Sequence, residues 1–270
     1  MADDEASDKR WLLYGANGYT GELIAEAAVE RGERPILAGR SASKVEPLGE
    51  RLGLETRVFS LDEADAVTEG LDGVSAVLHC AGPFSVTSAP MVDGCIATKA
   101  HYLDITGEIS VFEGCFARTE EAAEAGVTLL PGVGFDVVPT DCLAAALAEA
   151  LPDAKRLLLA ICSLGKSSRG TAKTAVESLS DGGAIRKNGW IERVPTAYRT
   201  RTIPFHDKPR VAMTIPWGDV STAYHSTGIG DIEVYMAVPQ RAIMAAKMSR
   251  PLTPLFALSA VKNALETRIE

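Results

Sequence analysis

The sequence has no apolar run approaching the roughly 20 residues that a bilayer-spanning helix needs. It also lacks a surplus of positive charge. Lys and Arg number 27 against 36 Asp and Glu, giving a formal net charge of −9, and there is no basic run and no zinc-finger spacing. General nucleic-acid binding is therefore not expected. Cysteine is scarce and unpaired in pattern: the five (Cys80, Cys95, Cys115, Cys142 and Cys162) include no C-x-x-C, which excludes a zinc site or disulfide framework and suits reduced thiols in a cytoplasmic protein. His79, His101, His206 and His225 are isolated and lack metal-ligand spacing, so no metal is expected. Met1 to Lys9 is acidic and polar, unlike a signal or transit peptide. Internal repeats and low-complexity segments are absent. The expectation is a soluble, cytoplasmic protein, with any membrane contact peripheral and carried by the Ala/Met/Leu-rich stretch Ile243–Leu265, which reads more simply as a core or interface helix.

What is present begins with Trp11-Leu-Leu-Tyr-Gly-Ala-Asn-Gly-Tyr-Thr-Gly21, an apolar strand running into a G-x-x-G-x-x-G turn. Gly15 permits a sharp exit from the strand. Gly18 removes a Cβ that would keep N–H groups from a phosphate, and Gly21 lets the next helix pack closely on the sheet. The start of that helix attracts an anion, so the turn, with Asn17, Tyr19 and Thr20 on it, suits a dinucleotide pyrophosphate.

Strand and helix patterns then alternate as far as Leu130, which predicts a doubly wound parallel sheet of the Rossmann type. Predicted helices include Ala42–Leu52, Met91–Thr98 and Phe112–Glu124. An Ala-rich helix, Thr140–Leu151, is expected to close this first domain, placing it over 1–150. Residues 151–270 carry longer, mostly consecutive strands (Arg156–Cys162, Arg193–Phe205, Arg210–Pro216 and Asp231–Val238) and one clear helix, Thr171–Ser180. They predict a second, α+β domain with a mixed or antiparallel sheet.

Strand two ends in Gly39-Arg40-Ser41, with Lys44 one helical turn on, where NAD-binding sheets usually carry an acid. Arg40 is suited to stack on adenine and pair with a 2′-phosphate, and Ser41 and Lys44 add donors. The expected cofactor is therefore NADP(H). Asp62, at the end of strand three, lies on the same rim.

Four further segments carry a family resemblance: Ser75-Ala-Val-Leu-His-Cys-Ala-Gly-Pro-Phe84, His101-Tyr-Leu-Asp-Ile-Thr-Gly-Glu108, Pro131-Gly-Val-Gly-Phe-Asp-Val-Val-Pro-Thr-Asp141, and Ser168 to Glu177 with Asp181-Gly-Gly183. With the glycine turn they resemble the saccharopine dehydrogenase-like oxidoreductases, in the branch often labelled trans-acting enoyl reductases. The resemblance implies an NADP-binding Rossmann domain followed by a mixed-sheet substrate and dimerisation domain, hence a homodimer acting on a small-molecule or lipid-linked substrate. Members of that branch continue beyond the length of this sequence, so either a trimmed or naturally short form or an incomplete substrate side is expected. Cys80, Ala81, Gly82, Pro83 and Phe84 are expected beside the ribose and nicotinamide half of the cofactor. Tyr102, Asp104 and Asp136 are the candidate catalytic groups, with Glu108 a further acid and Lys166 and Lys173 possible anchors for an anionic substrate. No Ser-x-x-x-Tyr-x-x-x-Lys arrangement is present. Two functions follow: an NADP(H)-dependent reductase of a C=C, C=N or C=O bond, including enoyl reduction in lipid metabolism, or a non-catalytic NADP(H)-binding regulator.

Overall fold

The computed structural model describes residues 10–162 and 182–252. They form two compact units that divide between Asp136 and Val137. In the first, strands and helices alternate: β1 (Trp11–Tyr14), α1 (Tyr19–Glu30), β2 (Ile36–Gly39), α2 (Ala42–Leu52), β3 (Thr56–Val58), α3 (Ala64–Gly70), β4 (Ala76–His79), α4 (Phe84–Thr98), β5 (His101–Asp104), α5 (Ile109–Phe116), α6 (Thr119–Ala125) and β6 (Leu129–Leu130). The strands lie in the order β3-β2-β1-β4-β5-β6, and every pairing is parallel. Strand order therefore reverses between β1 and β4, which is where such sheets open a crevice for a ligand.

Both faces of this sheet are buried, as short apolar parallel strands require. Successive residues of β1 point to opposite faces. Leu12 and Tyr14 join a cluster with Val77, Met91 and Tyr102, whereas Leu13 joins Leu37, Ala25, Val45 and Leu48 on the other side. Two readings of the helices are corrected. α4 begins at Phe84, well before the expected Met91, because Pro90 is accommodated inside the helix. The span expected as one helix, Phe112–Glu124, is two, interrupted at Ala117 and Arg118.

The second unit contains α7 (Val138–Ala150), β7 (Arg156–Ile161), β8 (Gly183–Lys187), β9 (Trp190–Val194), β10 (Thr200–Pro204), β11 (Pro209–Thr214), α8 (Asp219–Thr227), β12 (Asp231–Ala237) and α9 (Gln240–Met248). Its sheet runs β10-β11-β12-β8-β9, with β7 also on β12. β7 pairs with β12 in parallel and the remaining pairings are antiparallel, so the sheet is mixed. α7 packs on α8 and β7. It is thus grouped with the second unit and does not close the first at residue 150. The expected single strand Arg193–Phe205 is split into β9 and β10, with Pro195 and the positive-φ Ala197 between them. β8 and β9 form a hairpin closed by Asn188-Gly189, both with φ above zero, the geometry that a two-residue primed turn requires. The expected helix Thr171–Ser180, with Lys166, Lys173 and the whole Ser168–Glu177 segment, lies outside the described residues, as does the end of Ile243–Leu265. Among the described residues no helix is long and apolar enough to cross a membrane.

Candidate functional site

The glycine turn is shaped by main-chain contacts. Gly15 has φ +81°, and a Cβ there would come within 2.8 Å of Ala81 N and 2.9 Å of Cys80 C, so the turn after β1 lies directly against the exit of β4. The Gly15 and Ala16 N–H groups both donate to Ala38 O, at 2.8 and 3.2 Å. A Cβ on Gly21 would lie 2.3 Å from Gly15 O, so only glycine allows α1 to start this close to the strand. Gly18 is the extended N-cap of α1 and supplies no side-chain cap. The N–H groups of the first turn therefore face outward, with Asn17, Tyr19 and Thr20 exposed around them. This is a cradle for an anion: donors in place, no side chain filling it, and the positive end of a helix dipole behind it.

On the β2 side of the crevice, Arg40 and Lys44 are exposed, and neither side chain has a hydrogen-bond or ion-pair partner among the described residues. Ser41 sits at the N-cap of α2, its Oγ 3.2 Å from Ser43 Oγ. Beneath them the Tyr14 hydroxyl donates to Phe59 O at 3.0 Å. Burial pushes that hydroxyl up to about 12, with Arg40 lowering it and Asp62 raising it, which places both charges around one buried phenol. Asp62 accepts a hydrogen bond from Ser60 Oγ at 2.8 Å.

On the β4 side, Cys80 and Ala81 lead into a cis Gly82–Pro83 bond and then Phe84, the first residue of α4. Phe84 meets His79 edge-on at 5.4 Å and packs on the apolar cluster beneath, so much of its ring serves the core. His79 is fully buried. Its Nε2 lies 3.0 Å from Thr87 Oγ1, which donates to Ala81 O at 2.6 Å. Burial pushes the imidazole down to about 3, so it is neutral and donates through Nε2. Burial, reinforced by the Asp104 charge, pushes the Cys80 thiol up to about 12.

The structure places two of the three catalytic candidates in one buried network. Tyr102 and Asp104 are both completely buried. The Tyr102 hydroxyl donates to Asp104 Oδ2 at 2.6 Å, and Asp104 Oδ1 accepts from Thr106 N at 2.9 Å and Gly132 N at 2.7 Å. Burial holds the Asp104 carboxyl above its ordinary range despite these three donors and pushes the Tyr102 hydroxyl well up. Buried and mutually paired, they link the ends of β5 and β6. Glu108 is also occupied: its two carboxylate oxygens accept the N–H groups of Phe84 and Ser85, at 2.9 and 2.8 Å. Asp136 is half-buried, and burial pushes its carboxyl up. Its Oδ2 lies 3.0 Å from the point a Cβ on Gly107 would occupy. Thr106 and Gly132, both at strand ends marked by the sequence, donate their N–H groups to Asp104; sequence reasoning did not single out Thr87, whose hydroxyl meets His79 and Ala81 O across the turn after β4.

Strand order, reversal point and glycine cradle together define a Rossmann-type dinucleotide-binding domain. Residues 11–130 match the family model described as the saccharopine dehydrogenase NADP binding domain, so the first unit carries an NADP-binding domain of that type. This bears out the resemblance read from the sequence. A trans-acting enoyl reductase of Mycobacterium leprae (strain TN) is 34% identical over 138 residues, covering 48% of this chain and 33% of that protein. A second, from Mycobacterium bovis (strain BCG / Pasteur 1173P2), is 32% identical over 138 residues with the same coverage. The chain spans about a third of the length of these curated relatives. Apo histidine-tagged saccharopine dehydrogenase (L-Glu forming) from Saccharomyces cerevisiae aligns with a TM-score of 0.64 at 15% identity, over 89% of this chain and 57% of that one. That likeness is one of fold.

Proposed function

We propose that this protein is an NADP(H)-dependent oxidoreductase that delivers a hydride to a C=C, C=N or C=O bond of a small-molecule or lipid-linked substrate, with enoyl reduction the leading case. The observation that carries the proposal is the tip of β2, where the exposed, unpartnered Arg40 stands in place of an acid, beside an open helix N-terminus. The relatives named trans-acting enoyl reductase support the choice of bond. When bound, the nicotinamide supplies the hydride. The chain's own residues hold and orient. The N–H groups at the start of α1 take the pyrophosphate. Arg40, Ser41 and Lys44 take the 2′-phosphate, and Asn17 and Asp62 line the same rim. The turn from Cys80 to Phe84 borders the nicotinamide half. Of Asp104, Glu108 and Asp136, Asp136 alone combines partial exposure with a carboxyl that burial shifts upward, so it is the candidate kept for the acid. The second unit is proposed to supply the substrate side and a homodimer contact.

The burial of Tyr102 and Asp104, with both Glu108 oxygens taken by main-chain N–H groups, favours a second reading, a non-catalytic NADP(H)-binding regulator. A fluorescence titration with NADPH and NADH tests the cofactor assignment. NADPH is expected to bind more tightly; preference for NADH would overturn the Arg40 argument, and binding of neither would overturn the cofactor reading. NADPH consumption across a panel of enoyl thioesters then separates the two readings, since a regulator binds NADPH without oxidising it.

A further inference from the structure

Two helix N-termini flank the crevice at the reversal point: α1 after β1 and α4 after β4. Both begin without a side-chain cap from their own N-cap residue, Gly18 and Pro83 respectively. They differ in what meets them. The first N–H groups of α1 are open, whereas those of Phe84 and Ser85 on α4 are taken by the two oxygens of Glu108. That carboxylate comes from the loop after β5 and serves α4 as a bound anion would.

Glu108 is itself held in place. Its N–H donates to Thr106 Oγ1 at 3.0 Å, and the Thr106 N–H donates to Asp104 Oδ1. Asp104 also accepts Gly132 N–H through its side chain and Val133 N–H, at 2.7 Å, through its carbonyl. The loops that follow β4, β5 and β6 are thus joined by one continuous chain of hydrogen bonds. On the far side of α4's first turn, Thr87 links His79 to Ala81 O, so the segment from Ala81 to Phe84 is gripped from both sides.

We infer that Glu108 is a positioning residue for the cofactor. Its carboxylate fills the N-terminus of α4, leaves α1 as the open helix end for the pyrophosphate, and fixes the Gly82–Phe84 turn against the nicotinamide half. This rests on the cofactor reading above. Glu108 touches no reacting atom; it acts through the Phe84 and Ser85 main chain.

The test compares NADPH with 2′,5′-ADP, which carries the adenosine phosphates but no nicotinamide half, by calorimetric titration of the wild type, Glu108→Ala and Glu108→Gln. Loss of the carboxylate is expected to weaken NADPH binding by about tenfold, the scale of one charge-assisted hydrogen bond. Binding of 2′,5′-ADP stays at the wild-type level, and Glu108→Gln, which keeps one acceptor oxygen, recovers part of the loss. Thr106→Val, which removes the hydroxyl holding Glu108, is expected to shift NADPH alone and keeps the test available if Glu108→Ala does not fold. Unchanged NADPH binding in Glu108→Ala, or equal losses for both ligands, would overturn the proposal while the cofactor reading stands. A wild type that binds neither ligand would overturn both.

Discussion

The two sides of the crevice solve opposite problems. At the β2 tip, polar groups wait: Arg40 and Lys44 are exposed and without partners among the described residues, and the first N–H groups of α1 point outward. At the ends of β4, β5 and β6, polar groups are spent on one another. Asp104 takes three donors through its carboxylate, Glu108 takes two, and His79 is tied to Thr87. Waiting donors confer affinity and choice of ligand, because their hydrogen bonds form only on binding. Satisfied buried networks confer shape, because breaking one leaves desolvated groups with no replacement. Tyr102 and Asp104 fell on the second side, among groups that satisfy one another.

The contrast breaks most visibly at Asp104. Asp104→Ala strands the Tyr102 hydroxyl and two main-chain N–H groups in a buried site, and is expected to cost about 3 kcal/mol of unfolding free energy in urea. A loss below about 1 kcal/mol would mean the network is not sealed. His79 gives the next effect. Its folded-state value of about 3 is depressed below the roughly 6.5 of an unfolded chain, so the unfolded state takes up the proton first as pH falls. The stability contribution is therefore complete above about pH 6.5 and erodes by up to about 1.4 kcal/mol per pH unit below it. Between pH 7 and pH 5 the wild type should lose about 2 kcal/mol more than His79→Phe, read from paired urea transitions; equal slopes would show that the ring is not desolvated. The smallest effect sharpens the open side. Arg40→Ala should weaken NADPH by about tenfold with NADH unchanged and urea stability unaltered. Equal loss for both cofactors would place Arg40 elsewhere than at the 2′-phosphate.

Legibility followed the range of the interactions. The parallel sheet and the cradle rest on local patterns, so alternation, three glycines and an arginine after β2 were sufficient to read them. Asp104 was recognisable as an acid in an interior strand, but its partner Gly132 lies on another loop, and only folding shows which of bracing and catalysis it serves. Glu108 reaches Phe84 and Ser85 from the next β–α unit, a contact no spacing announces. In the second unit α8 escaped notice because Asp219-Val-Ser-Thr-Ala-Tyr-His-Ser-Thr227 is rich in weak helix formers, stabilised in place by buried Val220 and Ala223. The hairpin at Asn188-Gly189, and β8 with it, also went unread, although Asn-Gly is a local signal for such a turn.

The close fit of Gly21 over Gly15 O has a consequence for how such a protein changes over generations. The anion cradle is made of main chain, so exchanges at Asn17, Tyr19 and Thr20 alter its surroundings without dismantling it. The residue proposed to distinguish one dinucleotide from another, Arg40, stands apart, on the exposed tip of a neighbouring strand. On the proposed reading, cofactor choice is heritable almost as a separate trait, open to revision at position 40 while the two glycines stay fixed.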